Sequence, residues 1–329
     1  MNYFSLRRHL AKPTSPGWLG AVLLAFGSAT AVQGAPAPEA GAKPSASLAP
    51  GAGEAKGPEE KLDLTKIDKS RYNLFNRTPD EYLREMSTDR PDKTESPYTV
   101  DAGRFQLETD LVSYTHDRDR SGGGDTKVDS WAVAPINFKV GLFNNVDLQT
   151  VIETYNHITT EDRVAGTKDR QSGFGDITSR LKINLWGNDG GDTAFGVMPF
   201  VKYPTSQHQI GNNSVEGGII FPLAVALPAG WDMGLMTEFD FNRNDNRPGH
   251  HVEFVNTITF GHDIIGKLGG YVEFFSAVST ERDARWVGTV DAGLTYGLTD
   301  NLQLDIGINV GVTKSADDYN PFVGLSWRF

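Results

Sequence analysis

From Val100 to Phe329, apolar side chains recur at every second position, in runs of about ten residues broken by turn residues. Period two is the repeat of a pleated strand, whose successive side chains point to opposite faces. Twelve such runs can be read, at about 103–115, 127–142, 146–157, 173–186, 193–205, 215–228, 231–243, 250–261, 267–280, 286–298, 301–313 and 319–329. In the eleventh, Leu302, Leu304, Ile306, Ile308 and Val310 alternate with Gln303, Asp305, Gly307, Asn309 and Gly311.

The charges then decide which kind of strand protein this is. Once each run's apolar parity is taken as its outward face, the acids fall on the other face. They are Glu108, Asp110, Asp129, Asp147, Glu153, Asp176, Glu216, Asp232, Glu238, Asp240, Glu253, Glu273, Asp291 and Asp305. The bases Arg104, Lys139, Arg180, Lys182, Lys202 and Arg328 share that face. A soluble sandwich keeps its charges outside and its dry face inside. Here the uncharged face is the outer one, as hydrocarbon requires, since a Lys or Arg facing lipid at midplane costs about 2–4 kcal/mol. The expected fold is therefore all-β: a closed antiparallel transmembrane β-barrel of twelve strands, preceded by a disordered linker and one short helix.

The connections fit a hairpin barrel. Tight turns fall at 143–145, 188–191, 228–230 and 299–301, and longer polar loops at about 116–126, 158–172, 206–214 and 314–318. An even strand number puts both chain ends on the short-turn, periplasmic side. Phe143, Trp186, Trp231 and Trp327 near the short turns, with Tyr114, Tyr155, Trp286 and Tyr319 near the long loops, suit two interfacial girdles.

Composition removes other classes. A mean hydropathy of −0.37 is incompatible with a bundle of apolar helices, and zero cysteines exclude a disulfide scaffold or a Cys-ligated zinc. A net charge of −11 argues against nucleic acid as a partner.

The N-terminal third has its own organisation. Arg7, Arg8 and Lys12 precede the apolar run WLGAVLLAF and then small residues, so 1–35 reads as a cleaved export signal. Residues 36–60 are an Ala/Pro/Gly linker that cannot bury enough surface to order itself. Residues 61–99 are a separate segment, with a capping box at Thr78-Pro79-Asp80-Glu81 that predicts a short helix near 79–86. The barrel occupies 100–329.

Several stretches resemble one known family, the outer-membrane transporters associated with the meta-cleavage pathway of phenol degradation. They are STDRPDKTESPYTVDAGRFQLE (87–108), GFGDITSRLKINLW (173–186), DAGLTYGLTDNLQLDIGINVG (291–311) and DDYNPFVGLSWRF (317–329). The resemblance covers about 87–329, with Arg104 where His is more usual. It implies a barrel and uptake of small organic, including aromatic, molecules; it names no solute and no catalytic residue. The alternating terminus, ending in Trp327 and Phe329, also resembles the signal read by the barrel-assembly machinery.

The expected function is passive uptake of a small solute through a polar lumen whose acids outnumber its bases. Carboxylates lining a pore favour cations. Alternatively those acids are neutralised by inward bases or by a plug carrying Arg84, Asp89, Arg90, Asp92 and Glu95, folded into the barrel from 78–97. A non-conducting structural barrel is the rival role. A lipid hydrolase is the enzymatic alternative, but Ser276 and Ser279 have no His on their strand, and Ser113 and His116 fall on opposite faces. No enzyme activity, cofactor or metal is expected. The expected partners are outer-membrane lipids, the assembly machinery and the solute. Gly173-Phe174-Gly175 lacks the third glycine and the helix of a dinucleotide site, and reads as strand flexibility.

Overall fold

The computed structural model describes residues 63–208, 210–245 and 247–329. The expected export signal (1–35) and linker (36–60) lie outside the described residues.

Fifteen ladder segments are formed. They are β1 (Phe105–Asp119), β2 (Thr126–Val133), β3 (Ile136–Phe143), β4 (Val146–Ile152), β5 (Tyr155–Asp162), β6 (Thr167–Gly173), β7 (Ile177–Trp186), β8 (Thr193–Tyr203), β9 (Glu216–Ala226), β10 (Trp231–Arg243), β11 (His250–Ile265), β12 (Leu268–Ser279), β13 (Val287–Thr299), β14 (Leu302–Gly311) and β15 (Tyr319–Arg328). Three short breaks divide β2 from β3, β4 from β5 and β6 from β7, so the fifteen segments make twelve antiparallel wall strands. β15 pairs with β1, from Gln106 opposite Arg328 to His116 opposite Tyr319, and closes the barrel. Phe105 and Phe329 exchange two backbone hydrogen bonds at the seal.

The two faces differ as the alternation predicts. Val272, Val290, Ile306, Val310 and Trp327 are exposed on the outside, while Lys139, Lys182, Glu108, Asp147 and Asp291 are fully buried inside. Burial of charge at this density is tolerable only with matched partners, because an unpaired ion in a dry interior costs several kcal/mol.

The three breaks lie at one height and form a seam across neighbouring strands. Val112 faces Val133, and Val133 faces Tyr155, just above it. Thr109 faces Ile136, and Ile136 faces Ile152, just below. β1 carries a register shift between Asp110 and Val112 at the same level. Pro135 has no N–H to donate, and Ala134 takes a left-handed conformation (φ 51) beside it. Thr154 Oγ1 donates to the carbonyls of Val133 (2.6 Å) and Ala134 (2.8 Å), which the ladder leaves open.

Each slip exchanges inside for outside, since one residue of offset moves every later side chain to the other face. This corrects the sequence reading of Asp129. It faces outward with Trp131, because it lies beyond the Ala134–Pro135 slip. Two expected loops are also partly strand: β1 continues to Asp119, and most of 158–172 is the β5–β6 hairpin. These extensions carry charge on both faces, such as Arg118, Glu161, Lys168 and Asp169, so the charge-free parity that marks a lipid-facing strand disappears there. The capping box gives one 3-10 turn, Asp80–Tyr82, and no longer helix. Thr78 Oγ1 makes no capping bond, and the Arg84 backbone N–H donates instead to Asp101. Tertiary partners thus replace the second helical turn.

Candidate functional site

Residues 63–104 line the short-turn rim and then rise into the lumen. At the rim, Lys69 Nζ lies 2.8 Å from Asp189 and Arg84 Nη1 3.1 Å from the same carboxylate. These two cations hold Asp189, in a short turn at the rim, below the usual carboxylate range, against the upward push of burial. Arg84 also donates to the Thr99 carbonyl, and Arg328 donates to the Arg84 carbonyl at 2.7 Å.

Above the rim, successive charges of the segment meet wall charges of opposite sign. Asp89 lies 2.5 Å from both Lys139 and Lys182, and its backbone N–H donates to Glu108. Glu108 completes the cluster, 2.5 Å from Lys139. Arg90 turns to the adjoining strands, pairing with Asp110 on β1 and, at 2.6 Å, with Asp305 on β14. Gly324 faces that guanidinium; a Cβ there would overlap Arg90, whose side chain would have to shift. Lys93 Nζ lies 3.1 Å from Asp291, and its backbone N–H donates to Glu273. Thr94 Oγ1 donates to Glu273 at 2.6 Å, and Glu95 pairs with Arg180 at 2.5 Å. The backbone N–H of Val100 donates to Asp147.

The structure thus brings part of the sequence-derived sets together: Asp89, Arg90 and Glu95 are buried against lumen charges of opposite sign, while Arg84 is buried at the rim. Asp92 stands higher, beside Thr259, and burial pushes its carboxyl upward toward neutral pH. Burial would raise Asp89 as well, but Lys139 and Lys182 outweigh it and hold Asp89 far below the usual range. Lys202 pairs with Glu216 (2.5 Å), away from the segment. Glu238 and Asp240 share one face of β10, with Glu253 directly across from Asp240.

A chamber of about 270 Å³ lies above the segment. Pro91, Asp92 and Lys93 contribute to its lining from the segment, and Ile210–Asn212 and Ala316–Asp317 from the long-loop side. Glu153, Asp176 and Lys202 line it as well, and Phe275, Val287 and Phe322 give it an apolar wall. Through Phe275 that wall continues into a buried apolar cluster inside the barrel, formed with Met198, Ile220, Met236, Val255 and Ala277. Sequence reasoning missed this cluster. In β9 both parities are apolar, Ile219 and Leu223 outward, Ile220 and Pro222 inward, so alternation cannot separate a greasy lumen wall from the lipid face.

The other candidates stay apart. Ser113 faces the chamber and accepts from Asn320, whereas His116 faces outward and lies 2.8 Å from Asp129. Ser276 accepts from Trp286.

Residues 88–329 match the family described as "Putative MetA-pathway of phenol degradation". The chain belongs to that family. Among solved structures it is similar to the COG4313 outer membrane channel from Pseudomonas putida F1, at 11% identity and a TM-score of 0.53, covering 74% of this chain and 100% of that one. It also matches the translocator domain of the autotransporter NalP from Neisseria meningitidis (10% identity, TM-score 0.45, 68% of this chain and 88% of that one). The CymD monoaromatic hydrocarbon channel matches at 6% identity and a TM-score of 0.41, over 68% of this chain and 87% of its own length. No curated protein matches the chain.

Proposed function

We propose that this chain is an outer-membrane channel for passive entry of a small organic solute, with residues 84–99 as its gate. The observation that carries the reading is the chamber: one wall is apolar, around Phe275 and Phe322, and its floor is a segment held by buried ion pairs. An aromatic ring with a polar substituent suits such a chamber, the ring against the apolar wall and the substituent toward Lys93, Lys202 or Asn320. Because the segment neutralises many lumen acids, the cation preference expected from sequence would be weakened in the docked state. Family membership supports the class of cargo. Outer-membrane lipids around the barrel and the assembly machinery acting on Trp327 and Phe329 complete the proposed partners.

Liposome swelling with aromatic acids, sugars and organic cations tests the reading, on the full chain and on a form lacking residues 36–97. Faster entry of aromatic solutes than of sugars of similar size, accelerated by the deletion, is expected. Folded barrel with no swelling for any solute in either form would favour a purely structural role.

A further inference from the structure

We propose that the outward face of β2, β5 and β6, just above the apolar band, docks the phosphorylated glycolipid headgroups of the outer leaflet. The inference rests on the outer-membrane placement of the barrel.

The register grades this face row by row. Val112 and Val133 pair across β1 and β2 in an apolar row. One row up, Tyr114, Trp131 and His157 are cross-strand neighbours, and the Tyr114 and Trp131 rings lie 4.6 Å apart. This is an aromatic shelf at the level where such side chains mark the hydrocarbon boundary. Higher rows carry Arg170, across from Thr159, and Lys168, across from Glu161. Same-face residues are about 6.8 Å apart along a strand, so in a tilted barrel these cations stand roughly 5–10 Å above the shelf, at headgroup depth.

Their neighbours leave these two cations available. Asp129 is already engaged by Lys127 (2.7 Å), His116 (2.8 Å) and the Tyr114 hydroxyl (2.7 Å). Arg118 closes on Asp125 through two bonds, and Glu161 lies 3.6 Å from Arg163. Lys168 and Arg170 are exposed and have no ion-pair partner among the described residues. β6 also pairs with β5 alone, so it is an edge at this height. Between shelf and cations lies a concavity of about 500 Å³, lined by Tyr114, Asp129, Trp131, His157, Thr159, Lys168 and Arg170, with the Asp129 carboxylate turned to Lys127, His116 and Tyr114. Acyl chains against the apolar row, sugar on the aromatic shelf and phosphate on Lys168 and Arg170 match a phosphorylated glycolipid from tail to head.

The test is native mass spectrometry of the full chain in detergent, titrated with diphosphoryl lipid A, enzymatically dephosphorylated lipid A, or inorganic phosphate. Retention of diphosphoryl lipid A by the native protein is expected. The K168Q/R170Q double variant should weaken it about thirtyfold, two basic groups' worth of surface attraction, while K168R/R170K keeps most of it. Equal retention by the double variant would overturn the proposal. So would equal binding of the dephosphorylated lipid to the native protein, a comparison that needs no variant to fold. Inorganic phosphate bound as tightly as the lipid would overturn the lipid assignment. Unchanged liposome swelling and heat-modifiability in K168Q/R170Q would show that the channel reading stands even where the lipid site falls.

Discussion

Arg90 and Asp305 are 215 residues apart in the chain and meet inside the barrel, Nη2 to Oδ1 at 2.6 Å, with neither side chain exposed. The pair ties the lumenal segment to β14, and Asp110 ties the same guanidinium to β1. The segment is thus clamped across the closing strands of the barrel. Asp89 makes the reciprocal contact to β3 and β7 through Lys139 and Lys182.

Replacing Arg90 by Gln should loosen that clamp. Removing one partner of a buried pair typically costs about 3–5 kcal/mol, because the remaining charge stays desolvated. Here two carboxylates would be left facing each other. Planar-bilayer recordings should show more frequent or larger current steps than the native chain, with the barrel still heat-modifiable. Identical recordings would mean that Arg90 does not hold the gate.

Gly324→Ala should act in the same direction without touching a charge. The added methyl occupies the space of the Arg90 guanidinium, which must shift away from Asp305. If swelling rates and segment protection from protease both match the native protein, the close approach of Gly324 and Arg90 is not a constraint on the gate.

The pH dependence of gating follows from two carboxyls of the segment. Asp89 is depressed in the docked state, so its contribution is present above the ordinary Asp value and is lost as pH falls through the depressed one. Asp92 is raised by burial, so docking is favoured while it is protonated and weakens as pH rises through its raised value. Docking should therefore be strongest in mildly acidic solution, with opening on both sides. Asp92→Asn should shrink the alkaline limb and leave the acid limb in place. A conductance–pH profile for D92N that keeps the alkaline limb undiminished would remove Asp92 from the account.

Loss of Phe329 should impair assembly more than permeation. Its backbone closes the seal with Phe105, and its ring stacks near both Phe105 and Trp327. Deleting it should lower the folded fraction in the outer membrane several-fold, scored by gel mobility with and without heating. Molecules that do fold should swell liposomes at the native rate.

How much of this was legible beforehand varies by element. The alternation in β14 and β15 placed Leu304, Ile306, Val323 and Leu325 outside and Asp305 and Arg328 inside without ambiguity. The charges of 84–95 suggested a segment complementary to the lumen, but nothing in their spacing assigned Asp89 to Lys139 and Lys182 or Arg90 to Asp305. The apolar chamber wall was hidden because β9 is apolar on both parities.

By itself, the sequence determined that twelve strands would turn an uncharged face to lipid and their charges inward. Each strand obeys that rule alone, since hydrocarbon penalises charge position by position and period two needs no knowledge of neighbours. Only the tertiary structure decided where the rule changes phase. The slips at Asp110–Val112, Ala134–Pro135, Glu153–Thr154 and Phe174–Asp176 fall at one height because paired strands must shift register together, and that turned Asp129 outward. Which charge meets which across the lumen was likewise settled by barrel closure, a property of all twelve strands and of no single stretch of chain.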